Sequence, residues 1–402
     1  MQREKPSRAV RWRHWLARLR GWIRRLFGPD RTDPPEASAA PSAVPSAVPS
    51  AAKRQPRQTS PRRSAARPDG AEPNTVLRTT GQARVAHARI SLAPLVSPSR
   101  DYLLLSPSRP IGDPALIVML HGCRQTAEEF ILAARLEQWV ETGRWRILLP
   151  RQTRAANLHG CWNWFDSNTV AGAGETAIVL AAIDAVHGRH PAPGSSLFIA
   201  GLSSGAALAA TLVCHAGERF RAAAFHSGLA MGSASSALQA RKVMTTGPDR
   251  DVTFGLPGRV GTPSLVIHGD ADAVVSPVHA DQLTRQMLAL DGAIAPGAEL
   301  PAPSSSKLLP RAASGGSRSG QSDRTALDRR FGQHRQVIVT GLEHAWSGGD
   351  GRARFVDEAG PDASRLIISF FDEHRIESQQ PTIDDERIDP QRAGQTANMS
   401  DR

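Results

Sequence analysis

Cysteine is scarce in this chain, with only Cys123, Cys161 and Cys214 among 402 residues. One internal bridge is the most that three can form, so a dense disulfide framework is excluded and the fold must rest on a hydrophobic core. Long apolar runs are missing too: no stretch of about 18 apolar residues occurs, which argues against a membrane-spanning helix. The N-terminal segment lacks the uninterrupted apolar stretch and small-residue cleavage site of a secretory signal, and the expectation is a cytoplasmic protein. Helix-turn-helix, zinc-finger and aromatic RNA-binding motifs are likewise lacking. The net charge of +11 does not replace them, because residues 1–75 hold 16 Lys/Arg against 6 Asp/Glu and leave only +1 for the remainder. A nucleic-acid-binding domain would carry its basic face on the folded part, so no nucleic-acid partner is expected.

What is present at the start is an amphipathic pattern. Trp12, Trp15, Leu16, Leu19, Trp22, Ile23, Leu26 and Phe27 recur at steps of three and four, with arginines filling most other positions and Gly28-Pro29 as a stop. The spacing predicts a basic amphipathic helix over 1–28, whose segment 10–27 suits an anionic membrane surface. A helix packed on its own domain or on a partner protein is the alternative. Residues 29–92 are rich in Pro, Ala, Ser and Arg and read as a disordered, semi-extended linker, since they cannot bury enough apolar surface to offset their ordering entropy. The insertion 301–322 and the tail 377–402 read as disordered for the same reason.

Between 93 and 376 short apolar runs alternate with helical stretches, the pattern of an α/β domain with a mostly parallel sheet and helices on both faces. Strands are expected over 102–105, 116–120, 146–149, 197–200, 222–226, 264–268 and 336–340, and helices over 175–187 and 206–215. Runs such as Leu116-Ile117-Val118-Met119-Leu120 suit strands buried on both faces.

The sharpest chemical signal is Gly201-Leu202-Ser203-Ser204-Gly205, placed between the strand Leu197-Phe198-Ile199-Ala200 and the helix that begins at Ala206. At a strand-to-helix turn, G-x-S-x-G makes a nucleophile elbow that lifts the serine hydroxyl above the sheet. Such a serine needs a base and the base an orienting acid, which in this α/β-hydrolase arrangement follow in the order acid, then histidine. His268-Gly269-Asp270-Ala271-Asp272 supplies the acid after one strand, and Gly341-Leu342-Glu343-His344 supplies the base after the next. The expected catalytic residues are Ser203, Asp272 and His344. Asp270 is the rival acid, with a loop hydrogen bond as its other role; His226 and His268 sit at strand ends where packing is the simpler role. The oxyanion of acyl transfer wants two backbone donors, expected from the N–H groups of Ser204 and Cys123, the latter in Leu120-His121-Gly122-Cys123-Arg124-Gln125.

Two His-Gly-Cys triplets, at 121–123 and 159–161, suggest zinc, but structural zinc prefers closely spaced ligand pairs on turns, and the first triplet is needed for the oxyanion loop. A Cys123–Cys161 disulfide is favoured over two buried thiols. The chemistry requires no metal or cofactor. Trp162, Trp164 and Trp346 lie close in sequence to the inferred site, where they could line a substrate cleft or belong to the core.

These motifs resemble the esterases of the polyhydroxybutyrate (PHB) depolymerase family over about 102–371. The resemblance rests on Val118-Met119-Leu120-His121-Gly122-Cys123-Arg124-Gln125-Thr126, Gly160-Cys161-Trp162-Asn163-Trp164-Phe165, the elbow, His226-Ser227-Gly228, His268-Gly269-Asp270-Ala271-Asp272, His344-Ala345-Trp346-Ser347-Gly348-Gly349 and Gly360-Pro361-Asp362-Ala363-Ser364. It implies a serine esterase acting on short 3-hydroxyalkanoate ester linkages, in oligomers or polymer, with Ser203, Asp272 and His344 matching the family's triad and Cys123 its oxyanion loop. Ser204 and Ala206 depart from the Ala and Gly that the family commonly has there. Feruloyl and acetylxylan esterases are similar too, and give the alternative substrate class; an extracellular location, as for much of the family, is the alternative compartment. A non-catalytic surface-binding protein is the competing class, disfavoured because it would have no need of all three triad residues.

Overall fold

The computed structural model describes residues 78–80, 83–90, 100–190, 197–253, 261–309 and 324–375. The amphipathic segment 10–27, most of the linker, the core of the insertion and the tail 377–402 lie outside the described residues.

Among the described residues, eleven strands form one sheet: β1 (Arg78–Thr80), β2 (Ala83–Ile90), β3 (Arg100–Pro107), β4 (Ala115–Leu120), β5 (Trp145–Pro150), β6 (Leu197–Leu202), β7 (Ala222–His226), β8 (Ser264–Gly269), β9 (Ser305–Leu309), β10 (Ala326–Phe331) and β11 (His334–Val339). Their spatial order is β1-β2-β3-β5-β4-β6-β7-β8-β11-β10-β9. The six central strands, β5 to β11 in that order, pair parallel, and antiparallel strands close each edge. This is the α/β-hydrolase fold, with the apolar runs of the sequence as its central strands.

Eight α-helices accompany the sheet: α1 (Ala127–Ala133), α2 (Leu136–Glu141), α3 (Ser167–Val170), α4 (Gly174–Arg189), α5 (Ser204–Ala216), α6 (Ala237–Thr246), α7 (Val278–Leu290) and α8 (Ala363–Glu373), counted among the described residues. The alternation of strand side chains explains the two layers. On β4, Leu116, Val118 and Leu120 pack with residues of α4, α5 and α7, whereas Ile117 and Met119 face the opposite way, toward α1, α2 and α8. A third cluster joins α6 to Trp164, Ala207, Leu229, Val274 and Val275. No helix among the described residues is long and apolar enough to cross a membrane.

Two expected boundaries need correction. Residues 78–80 and 83–90, assigned to the linker, form β1 and β2, and β2 pairs with β3 in an unbroken register from Ala83↔Pro107 to Ile90↔Arg100. Backbone hydrogen bonding holds this edge, so no apolar run is needed to mark it. Likewise 305–309, assigned to the disordered insertion, form the exposed edge strand β9 on β10.

Candidate active site

The turn between β6 and α5 carries Ser203 with φ 55° and ψ −120°, a backbone region that L-residues rarely occupy. Two bonds hold it there: the Ser203 N–H donates to the His226 carbonyl at 2.9 Å, and its own carbonyl accepts from the Ala207 N–H at 3.0 Å. The flanking glycines are a steric requirement. A Cβ on Gly201 would lie 2.5 Å from the Gly205 carbonyl carbon, and one on Gly205 would lie 2.2 Å from the Leu120 oxygen. Strain of this kind, on the order of 1–3 kcal/mol, persists only where surrounding structure over-determines it.

The loops after β8 and β11 are stitched together at the same edge. The Asp270 N–H donates to Val339 at 3.1 Å, the Ala271 N–H to Leu342 at 3.2 Å, and the Gly341 N–H to the Asp270 carboxylate at 2.6 Å. Gly269 permits this contact, because a Cβ there would lie 2.0 Å from the Leu342 oxygen. Asp270 thus joins loop to loop. The neighbouring Asp272 is buried, and its Oδ2 lies 2.7 Å from His344 Nδ1, while His344 Nε2 lies 2.8 Å from Ser203 Oγ.

The electrostatics set the tautomer. Burial alone would raise the Asp272 carboxyl, but the His344 and His268 rings and the Val275 N–H more than offset it and hold the group below its ordinary value. Its other oxygen accepts from the Val274 and Val275 N–H groups, each at 2.9 Å. An ionised carboxylate only accepts, so Nδ1 of His344 carries the hydrogen and Nε2 is left to accept from the Ser203 hydroxyl.

Cys123 and Cys161 are disulfide-bonded, with Cα atoms 4.1 Å apart, and so link the loop after β4 to the loop that carries Trp162. The link is reinforced by the Arg124 N–H donating to His159 at 2.8 Å, the Gly122 N–H to the Gln125 side chain at 2.9 Å, and the Trp162 Nε1–H to the His121 carbonyl at 3.0 Å. The two departures from the family pattern have local explanations. The Ser204 hydroxyl accepts from the Trp162 N–H at 3.3 Å. The Ala206 methyl fits because Gly228 faces it, where a Cβ would approach to 2.7 Å. The Ser204 amide opens α5 and is one of the N–H groups that a helix leaves without an internal partner.

A cavity of about 420 Å³ opens beside these groups, lined by Ser203, His344, Cys123, Trp162 and Trp164 among others. Trp346 requires correction as a substrate-binding residue. It is fully buried, edge-on to Phe130 at 5.2 Å and stacked on His226 at 5.0 Å, with its Nε1–H on Ser364, so it belongs to the core.

A buried network around Glu175 has no counterpart in the sequence reading. The Glu175 carboxylate accepts from the Asn163 N–H at 2.6 Å, the Asn163 side chain at 3.0 Å and the Gln152 side chain, with Arg100 3.7 Å away. Gln152 also donates to the Cys161 carbonyl at 2.9 Å, so the network braces the disulfide loop from behind. Glu175 opens a helix in the sequence, where an acid is ordinary, and nothing in its spacing marks the role.

Three buried histidines give the domain an acid limit. Burial, as the largest cause, pushes His121 and His279 down to about 4 and His226 to about 3 from 6.5. The folded state leaves them neutral where the unfolded chain takes up protons, so stability rises with pH across this window. Each contributes about 1.4 kcal/mol per pH unit between its folded value and 6.5. Urea unfolding midpoints should therefore fall steeply from pH 6.5 to pH 4, and a flat profile would contradict the burial of these rings.

The family model described as esterase PHB depolymerase matches residues 101–303, just over half of the chain and inclusive of Ser203 and Asp272. Poly(3-hydroxyalkanoate) depolymerase C of Paucimonas lemoignei is 28% identical over 190 residues, 44% of this chain and 46% of that protein. Feruloyl esterase B of Neurospora crassa is 27% identical over 199 residues, 45% of this chain and 66% of that protein. The chain thus spans from about half to two-thirds of the length of these curated relatives. Among solved structures, the acetyl xylan esterase from Aspergillus awamori shares the fold, with a TM-score of 0.53 at 16% identity over 64% of this chain and 94% of that one.

Proposed function

The chain belongs to the esterase PHB depolymerase family, and from that membership we propose that it is a serine esterase cleaving short 3-hydroxyalkanoate ester linkages. The observation that carries this reading is the His344 ring, which spans Ser203 Oγ at 2.8 Å and Asp272 Oδ2 at 2.7 Å beside an open cavity. Ser203 Oγ attacks the ester carbonyl while His344 Nε2 takes its proton. The oxyanion forms against the amides of Ser204 and Cys123, each such donor contributing on the order of 3 kcal/mol to the transition state. Collapse expels the alcohol, which receives the proton from His344. Water then attacks the acyl-enzyme by the same route, releases the acid and restores the serine. Asp272 keeps Nδ1 protonated throughout and stabilises the imidazolium.

The similarity to feruloyl esterase B supports a second substrate class on the same machinery. Initial rates on hydroxybutyrate oligomers, amorphous polyester, feruloyl esters and acetylated xylan decide between them. The reading predicts the highest kcat/KM on hydroxybutyrate oligomers; a preference for a feruloyl ester would overturn the substrate assignment and keep the esterase.

We further infer from the spacing of the N-terminal tryptophans and arginines that residues 10–27 attach the enzyme to an anionic lipid or polyester granule surface. The full chain should sediment with phosphatidylserine-containing vesicles or with granules, and a chain starting at residue 31 should remain in the supernatant. Equal partitioning of the two would refute the role.

A further inference from the structure

A few non-glycine residues hold a left-handed backbone, and three of them belong to the site: Ser203 itself with φ 55°, Arg124 with φ 61° next to the lining residue Cys123, and Phe355 with φ 59°, which lines the cavity. A bulky side chain in this region is a genuine outlier. It persists only where its surroundings over-determine it. At Phe355 they do so from both sides. The Arg354 guanidinium donates to the Arg124 carbonyl at 2.6 Å and to the Glu129 carboxylate at 2.7 Å. The Phe355 carbonyl accepts from the Trp346 N–H at 2.7 Å, and Trp346 and Ser347 pair in parallel with Val356 and Asp357. The segment is thereby fixed both to the loop after β4 and to the loop that carries His344.

A glycine at this position would make every one of these backbone bonds without strain, so the bonds do not account for a phenylalanine. The ring does. Ala353 and Val356 pack on the apolar layer of α1, α2 and α8, whereas Phe355 is half-buried and lines the cavity. The facing apolar wall, with Trp164, Phe165, Met244 and Val274, belongs instead to the cluster around α6. Chemistry orients a substrate between the two. The leaving oxygen of the ester must come within hydrogen-bond reach of His344 Nε2 to receive its proton, so the alcohol part lies toward the His344 loop, to which Phe355 is bonded. In an oligoester of hydroxyalkanoates that alcohol part is the next unit of the chain, with apolar carbons to bury.

We propose that the ring of Phe355 packs against the alcohol part of the substrate and selects esters whose leaving alcohol carries an apolar chain. This deepens the esterase reading above and rests on it. Phe355 acts in selection, and the bond-making steps remain those already described.

The test compares kcat/KM for methyl butyrate and butyl butyrate, which share an acyl group and differ only in the alcohol, with p-nitrophenyl acetate and p-nitrophenyl butyrate as the pair that varies the acyl group. The wild type should prefer the butyl ester by about tenfold to a hundredfold, the range that a few methylenes in an apolar pocket supply. Phe355→Gly should collapse that ratio toward one and leave the acyl ratio at its wild-type value. Its thermal midpoint should hold or rise, because glycine takes up the left-handed backbone without strain. Phe355→Asn, which tolerates the same backbone region, should repeat the glycine result, and Phe355→Leu should retain most of the wild-type ratio. A wild-type alcohol ratio near one overturns the proposal. So does a Phe355→Gly variant that keeps the alcohol ratio, shifts the acyl ratio instead, or slows both butyrates equally. A wild type that turns over none of these esters overturns the esterase reading itself.

Discussion

Replacing Ser203 by Ala is expected to lower kcat on short p-nitrophenyl esters by about 10⁶, with KM changed little. Among the described residues the hydroxyl makes one side-chain bond, to His344 Nε2 at 2.8 Å. The turn itself is held by backbone bonds of residue 203 to His226 and Ala207, which Ala retains. The fold should therefore survive, and far-UV circular dichroism and the thermal midpoint should stay near wild type. A residual acceleration of about 10³–10⁴ over water is expected from the oxyanion donors and substrate binding. Activity within tenfold of wild type would remove Ser203 from the chemistry.

Asp272→Asn should cost about 10⁴ in kcat, through the tautomer of its neighbour. Asn can keep the Val274 and Val275 bonds with its carbonyl oxygen, but it then turns an NH₂ group toward His344 Nδ1. Nδ1 must become an acceptor, the hydrogen moves to Nε2, and the ring can no longer accept from Ser203. Asp270→Asn is the matched comparison. Its carboxylate receives the exposed Gly341 N–H, a bond that an amide oxygen preserves, so kcat should stay within about threefold. If the two variants exchanged behaviour, the acid would be Asp270.

The parts of the fold that were legible in the sequence are those whose burial leaves a continuous apolar run. β4, β6, β7, β8 and β11 lie in the middle of the sheet, and all but one of their residues are buried. Their carboxyl ends carry the loops with His121, Ser203, Asp272 and His344, and for that reason the site could be assembled from motifs after strands. The edges carry no such mark. β9 reads Ser305-Ser306-Lys307-Leu308-Leu309 and is nearly all exposed, while β2 interleaves Arg84, His87 and Arg89 with small residues. Backbone pairing to a neighbour ten or more residues away defines both, and no local pattern reports it.

Side-chain partners show the same divide. Trp346 is two residues from His344, and proximity in sequence alone points it to the cavity, yet β12 (Trp346–Ser347) pairs with β13 (Val356–Asp357) and turns the indole into the core. Glu175 is invisible for the opposite reason. It is an unremarkable charged residue of a helix, and its meaning comes from an element distant in sequence, the disulfide loop. The Cys123–Cys161 bond, by contrast, lies where two loops named in the sequence meet.

The central claim is that the Ser203 hydroxyl is made nucleophilic by His344, and labelling with a fluorophosphonate measures it directly. Mass spectrometry of the intact protein should show one adduct per chain, and peptide mapping should place it on Ser203. The labelling rate should collapse in His344→Ala. An adduct on another residue, or equal labelling with and without the imidazole, would contradict the account.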